Sequence, residues 1–132
     1  MESPAPVADV FNPACGSREV LTLIADKWSA LILYALLSRT RRHAELQRAI
    51  GGISQKMLTQ TLRELEAVGL VHREVFPVVP PHVEYSLTPL GASLAPLLRE
   101  LCHWAENHLA EIHASHRDIS AGPTRSRAEG AD

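Results

Sequence analysis

Residues 51–69, GGISQKMLTQTLRELEAVG, constrain this chain more tightly than any other stretch. Ser54 occupies an N-cap position, where its hydroxyl accepts from a free backbone N–H of the first turn. Ile53 and Leu58 hold the two positions of a hydrophobic staple. Beyond them Leu58, Thr61, Leu62 and Leu65 recur at helical spacing and predict a buried stripe, with Met57 and Val68 at its margins. The opposite face carries Gln55, Lys56, Thr59, Gln60 and Arg63, donors and acceptors suited to phosphates and to base edges in a major groove. A glycine pair precedes the helix and Gly69 ends it. An ordinary surface helix with a solvated polar face is written the same way, so the helix alone leaves both readings open.

The distribution of charge adds weight to the DNA reading. The net charge of the whole chain is −2. Residues 1–38 hold two Lys/Arg against four Asp/Glu, residues 39–73 seven against three, and residues 74–132 four against eight. The cations therefore gather around the proposed reading helix, where they can neutralise phosphates, and the acidic ends face elsewhere.

The flanking elements fit one architecture. Residues 1–14, rich in proline and small residues, read as a flexible arm, and residues 117–132 as a disordered tail. One DNA-binding and dimerisation domain is expected over residues 15–116. A short helix over residues 18–24 has Ser17 as its candidate cap. A helix over residues 27–38, capped by Asp26, is apolar around most of its circumference and should be central. Trp28 on this helix reads as core packing. Residues 39–42 form a basic turn, and a third helix over residues 42–50 buries Leu46, Ala49 and Ile50 before Gly51 and Gly52 end it. The short gap to the reading helix is that of a helix-turn-helix. Downstream, LVHREVF and HVEYSLT flank PVVPP and predict two strands with a proline-rich tip. Thr88 and Pro89 then start a long final helix carrying Leu90, Leu94, Leu97, Leu98, Leu101, Trp104, Leu109 and Ile112, with a kink or break expected at Pro96.

This order gives a mainly α fold with a small β-hairpin wing: a winged helix-turn-helix. The apolar stripe of the final helix is wider than so small a core can cover, and predicts a homodimer through the terminal helices. No apolar run approaches the roughly 20 residues that span a bilayer, and the first residues lack the pattern of a signal peptide. A cytoplasmic protein without membrane partners is the expectation.

The same segments identify a family. Cys15, ADKWSALILYALL at residues 25–37, ISQKMLTQTLRELEAVGLVHRE at residues 53–74 and VPPHVEYSLTPLG at residues 79–91 resemble the HxlR-type bacterial winged helix-turn-helix transcriptional regulators. The resemblance covers roughly residues 15–112. It implies a dimeric DNA-binding repressor or activator that contacts double-stranded DNA through the wing and the helix starting at Ser54. The chain departs from the family pattern at His43, where an aromatic residue is common, at Ala25, where glycine is usual, and at His82, where the wing often carries arginine. The DNA-binding set expected on these grounds is Arg41, Arg42, Ser54, Gln55, Lys56, Thr59, Gln60, Arg63, Arg73 and His82. Gln60 and Arg63 are assigned to base edges and Lys56 to phosphate.

Cys15 stands where the arm meets the first helix, so its thiol lies near a helix N-terminus, which favours the thiolate. Sensing members of the resembled family use a cysteine at this place for oxidants or electrophiles, in some cases bridged to a cysteine of the C-terminal helix. That resemblance implies Cys102 as the partner of Cys15; the bland alternative makes both inert packed thiols. A small-molecule effector in an apolar space is a further option. On the last helix only His113 with His116, and Cys102 with Glu106, share a face, short of the three or four convergent ligands a metal needs. A metal-responsive regulator is thus an alternative without a complete ligand set, and no cofactor is expected. There is no phosphate loop or nucleophile elbow, and Ser54 has no evident base, so an enzyme is not expected. A protein-interaction module that binds no DNA is the remaining class, and a salt series on duplex DNA separates the two.

Overall fold

Ser54, Asp26 and Thr88 start the three helices on which the fold is built, each by accepting backbone N–H groups. In the computed structural model, which describes residues 7–121 with residues 116–121 as backbone alone, the elements run as follows. They are α1 (Gly16–Ile24), α2 (Lys27–Ser38), β1 (Arg41–Arg42), α3 (His43–Ala49), α4 (Gln55–Ala67), β2 (Val71–Phe76), β3 (His82–Leu87), α5 (Pro89–Asn107) and α6 (Leu109–Ala121). Parts of the expected arm and tail, residues 1–6 and 122–132, lie outside the described residues. The chain forms two compact units, one through Arg99 and the other from Glu100, with the boundary inside α5.

In the first unit the Asp26 carboxylate accepts from the backbone N–H of Trp28 at 3.0 Å and of Ser29 at 3.3 Å, starting α2. Ile32, Leu33 and Leu36 of α2 are buried against Leu46 of α3 and against Leu58, Leu62 and Leu65 of α4. Ser54 Oγ accepts from the Met57 N–H at 3.0 Å, a cap that stabilises α4 by about 1 kcal/mol. Both staple residues, Ile53 and Leu58, are buried. The stripe read from the sequence is the buried face of α4: Leu58, Thr61, Leu62 and Leu65. Each fully buried leucine contributes about 1.5–3 kcal/mol relative to exposure, far more than the cap, so packing determines where the helix lies.

At its C-terminal end α4 stops on Gly69, whose φ of +82° only glycine adopts without strain, while the Leu70 N–H returns to the Leu65 carbonyl at 3.0 Å. Thr88 Oγ1 donates to the Gly69 carbonyl at 2.6 Å and accepts from the Gly91 N–H at 3.0 Å, tying the start of α5 to the end of α4. Gly91 permits this approach, because a Cβ there would run into the Leu70 carbonyl. The three strands form an antiparallel sheet in the order β1-β3-β2, with Arg41 and Arg73 flanking Tyr85 on either side and Phe76 opposite His82 at the tip. The architecture is a winged helix-turn-helix.

Five local expectations are corrected. Arg41 and Arg42 are the short strand β1 and not a turn, since they complete the outer edge of β3; a two-residue strand is too short to show a sequence period. Ala49 is exposed, because only Leu46 of α3 and the capping residue Ile50 face the core. Helix α1 starts at Gly16 with Cys15, not Ser17, at the cap. Pro96 lies inside a continuous α5, and the interruption falls at His108. The carbonyl that Pro96 leaves without a donor is that of Ala92, an exposed residue where water can serve it. Helix α6 continues to Ala121, beyond the expected end at residue 116. Among the described residues no single helix is long and apolar enough to cross a membrane.

Candidate nucleic-acid interface

With Leu58, Leu62 and Leu65 fixed in the core, the polar side of α4 is held outward by the helical period. Gln55, Lys56, Gln60 and Arg63 are exposed. Together with Thr59 and Glu64 they border one shallow hollow on the helix surface. Glu64 was absent from the set read in the sequence, although it stands one helical turn after Gln60. Its carboxylate is the acceptor type that reads a cytosine amino group.

Thr59 is half-buried and already engaged: its Oγ1 lies 3.0 Å from His43 Nε2, linking α3 to α4 across sixteen positions of sequence. The histidine that departs from the family's aromatic residue thus braces the reading helix. Arg63 and Arg73 come together, lining with Tyr85 and Glu66 a groove between α4 and the sheet. Ser54 is exposed, with its hydroxyl used as the cap.

The basic segment before α3 divides. Arg39, Arg42 and Arg48 gather around a second hollow that also includes Glu45 and Glu84. Glu45 accepts from the Arg42 backbone N–H at 2.8 Å and meets Arg39 at 3.6 Å; the backbone hydrogen bond first, then the Arg39 charge, hold its carboxyl below the usual glutamate range. Arg39 and Arg48 were not in the sequence-derived set. Arg41 also borders this hollow, but its guanidinium is engaged on α2. Its Nε donates to the Ala35 carbonyl at 2.9 Å and its Nη2 to Ser38 Oγ at 3.2 Å, so its guanidinium closes the C-terminal turn of α2. At the wing, His82 stacks on Phe76 with ring centroids 4.7 Å apart and meets Glu84 at 3.2 Å.

The two thiols differ. Cys15 Sγ lies 3.0 Å from Ser17 Oγ and accepts from the Asp9 N–H at 3.3 Å; these bonds, the Ser17 hydroxyl first, lower its pKa below the usual thiol value. Cys102, in the second unit, is pushed the other way by burial and by the charge of Glu106. Among the described residues no group of three or more His, Cys, Asp or Glu is arranged to hold a metal ion; the side chain of His116 lies outside them.

A helix-turn-helix of this geometry carries a family signature. The model of the HxlR-like helix-turn-helix matches residues 23–113. The chain belongs to that family. It is similar to the uncharacterized HTH-type transcriptional regulator YkvN of Bacillus subtilis (strain 168), 52% identical over 101 residues that make up 76% of this chain and 86% of the relative. Among solved structures it resembles the transcriptional regulator YtfH from Salmonella typhimurium, at 44% identity and a TM-score of 0.79, covering 84% of this chain and 99% of that one. The redox regulator HypR in its oxidized form is similar at 43% identity and a TM-score of 0.65, over 70% of this chain and 96% of HypR. The HxlR-like chain is a helix-turn-helix transcriptional regulator and not an enzyme.

Proposed function

We propose that this HxlR-like protein binds double-stranded DNA as a homodimer, placing one α4 helix in each of two successive major grooves. The observation that carries the reading is the division of α4 into a face buried by leucines and a face of exposed Gln55, Lys56, Gln60, Arg63 and Glu64. Gln60, Arg63 and Glu64 read base edges, and Lys56, Arg42, Arg39, Arg48 and Arg73 meet phosphate. Gln55 and the Ser54 hydroxyl lie at the N-terminus of α4, where the helix dipole favours an anion. His82 contributes at the wing through its stack on Phe76. Arg41 belongs to the frame that holds β1.

The terminal helices support the dimer. Val20 and Leu21 of α1 are about half exposed, Leu97 of α5 is two-thirds exposed, and in the second unit Leu101, Trp104, Leu109 and Ile112 are exposed. Apolar side chains in such numbers are covered in most soluble proteins. Selection of tight-binding duplexes from a random pool, followed by a salt series on the selected site, tests the reading. A steep linear fall of log affinity with log salt is expected; no binding at low salt means a protein-interaction module. Sedimentation that finds only monomer at micromolar concentration refutes the dimer.

Cys15 is the switch in this reading, supported by its lowered pKa and by the likeness to HypR, which is named as a redox regulator. Its thiolate reacts with an oxidant or electrophile, and the cap of α1 changes with it. Cys102, held as a thiol, is then the resolving partner in any bridge and not the first to react. If Cys15→Ser protein still releases DNA on treatment with diamide, the switch lies elsewhere.

A further inference from the structure

A cavity of about 590 Å³ opens between α2, the end of α3 and Arg99 of α5, within the first unit. Its volume falls in the range of about 300–1,000 Å³ typical of small-molecule sites. The walls are mostly apolar, from Leu31, Ala35 and Ile50 among others, with the Tyr34 phenol at one side. Two guanidinium groups, Arg41 and Arg99, complete the lining, and no Asp or Glu is among the described residues around it. Arg41 is fixed there by its bonds to the Ala35 carbonyl and Ser38 Oγ. Those bonds use two of the five N–H donors of an arginine, so the same group can hold its place and still bind a carboxylate.

We infer that this cavity is the binding site of an amphipathic monocarboxylate, its apolar body against Leu31, Ala35 and Ile50 and its carboxylate on Arg41 and Arg99. Among the described residues the lining combines apolar walls with two cations and no carboxylate, which disfavours cationic ligands and favours an anion over a neutral ligand of the same shape. The site reaches both elements assigned to DNA. Ile50 and Gly51 form its wall where the chain turns from α3 into α4, and Arg41 belongs to β1, which pairs with β3 of the wing at Tyr85. A ligand seated there presses on the turn that sets the angle of α4 and on the strand that sets the wing. Its occupancy therefore shifts DNA affinity, an effect that rests on the DNA-binding reading, whereas ligand binding itself does not.

Calorimetry on the full chain with octanoate, 4-phenylbutyrate and indole-3-acetate, each beside its neutral amide, tests the site. At least one acid is expected to saturate one site per protomer and to bind at least about tenfold more tightly than its amide. Ala49→Trp, a change at an exposed rim residue, is expected to abolish that binding, and Arg99→Gln to weaken it about tenfold, with both variants unfolding as the parent does. No acid binding below about 10 mM, equal binding of acid and amide, or undiminished binding to a folded Ala49→Trp overturns the proposal. Binding that appears only when the protein is diluted to monomers also overturns it, since a second copy then fills the cavity. In a parallel titration of duplex DNA the bound acid is expected to change affinity at least about fivefold. An unchanged affinity overturns the coupling and leaves the site standing, while failure of the protein to bind any duplex refutes the DNA reading instead.

Discussion

Replacing Lys56 by alanine separates a phosphate contact from a solvated surface charge. Lys56 is exposed in the first turn of α4, takes no part in the Ser54 cap and is not on the buried face of the helix, so its removal should leave the fold intact. A homodimer presents two copies. Each neutralised phosphate contributes about 0.9 to the slope of log affinity against log salt, so losing both lysines lowers the slope by about 1.8. Between about 50 and 200 mM salt, a fourfold range, the affinity ratio of parent to variant should then shrink by about twelvefold. A protein binding as a monomer loses only about 0.9, so the same measurement counts the subunits on the site. Fluorescence anisotropy on a selected duplex reads both. The control is Lys27→Ala, which removes the same charge from an ammonium lying 4.5 Å over the Trp28 ring at the start of α2. If Lys56→Ala leaves the slope unchanged, or Lys27→Ala alters it equally, α4 does not meet the backbone through Lys56.

Four further outcomes follow from the geometry. Gly91→Ala drives a methyl into the Leu70 carbonyl, which is itself fixed by the Thr88 N–H, so thermal unfolding should fall by roughly 10 °C for a cost of about 2–3 kcal/mol; an unchanged midpoint contradicts the close approach. Ser29 Oγ is buried without a hydrogen-bond partner, so Ser29→Ala should raise stability in urea by about 1 kcal/mol, and a loss of that size would mean the hydroxyl is satisfied. The rate of alkylation of Cys15 should reach half its plateau at a pH below that of a free thiol, and that of Cys102 above it, because the Ser17 and Asp9 bonds favour one thiolate while burial and Glu106 disfavour the other; mass spectrometry after timed iodoacetamide pulses reads each site, and coincident profiles refute the assignment. His43→Ala releases Thr59 Oγ1 and should change base preference at one position of each half-site in a selection from randomised duplexes while leaving the salt slope as it was, whereas an unchanged preference removes His43 from any part in readout.

What the sequence revealed and what it hid divide by distance along the chain. The cap, staple, stripe and glycine stop of α4 lie within nineteen residues, and each is a local rule, so the helix and most of its outward face were legible. The Asp26 cap of α2 and the Thr88 cap of α5 were legible for the same reason. The strand β1 was not, because what makes Arg41 and Arg42 extended is the free edge of β3 more than forty residues later. The two roles of the arginine run were hidden with it: Arg41 bonds to the end of α2 while bordering the same hollow as Arg42, Arg39 and Arg48. Glu64 is a different case. Its place one turn after Gln60 follows from the helical period.

The pairing of His43 with Thr59 determines how the reading face divides its work. A threonine offers one hydroxyl and one methyl, and once the hydroxyl is turned to His43 the methyl is what remains for the groove. An apolar contact distinguishes thymine by its methyl group and is indifferent to the hydrogen-bonding edges that the glutamines and arginine read. In the proposed complex hydrogen-bond readout would then fall to Gln60, Arg63 and Glu64, which stand on the exposed surface with the core leucines behind them. Those side chains can be exchanged with little cost to the fold, while Thr59 cannot, since its hydroxyl also joins α3 to α4. The face proposed to choose the site is therefore adjustable at its outer positions and fixed at its inner one. On the proposed reading, a bound ligand or an oxidised thiol would alter binding by moving that unit as a whole, through the turn at Ile50 and Gly51 or through the helix that Cys15 caps.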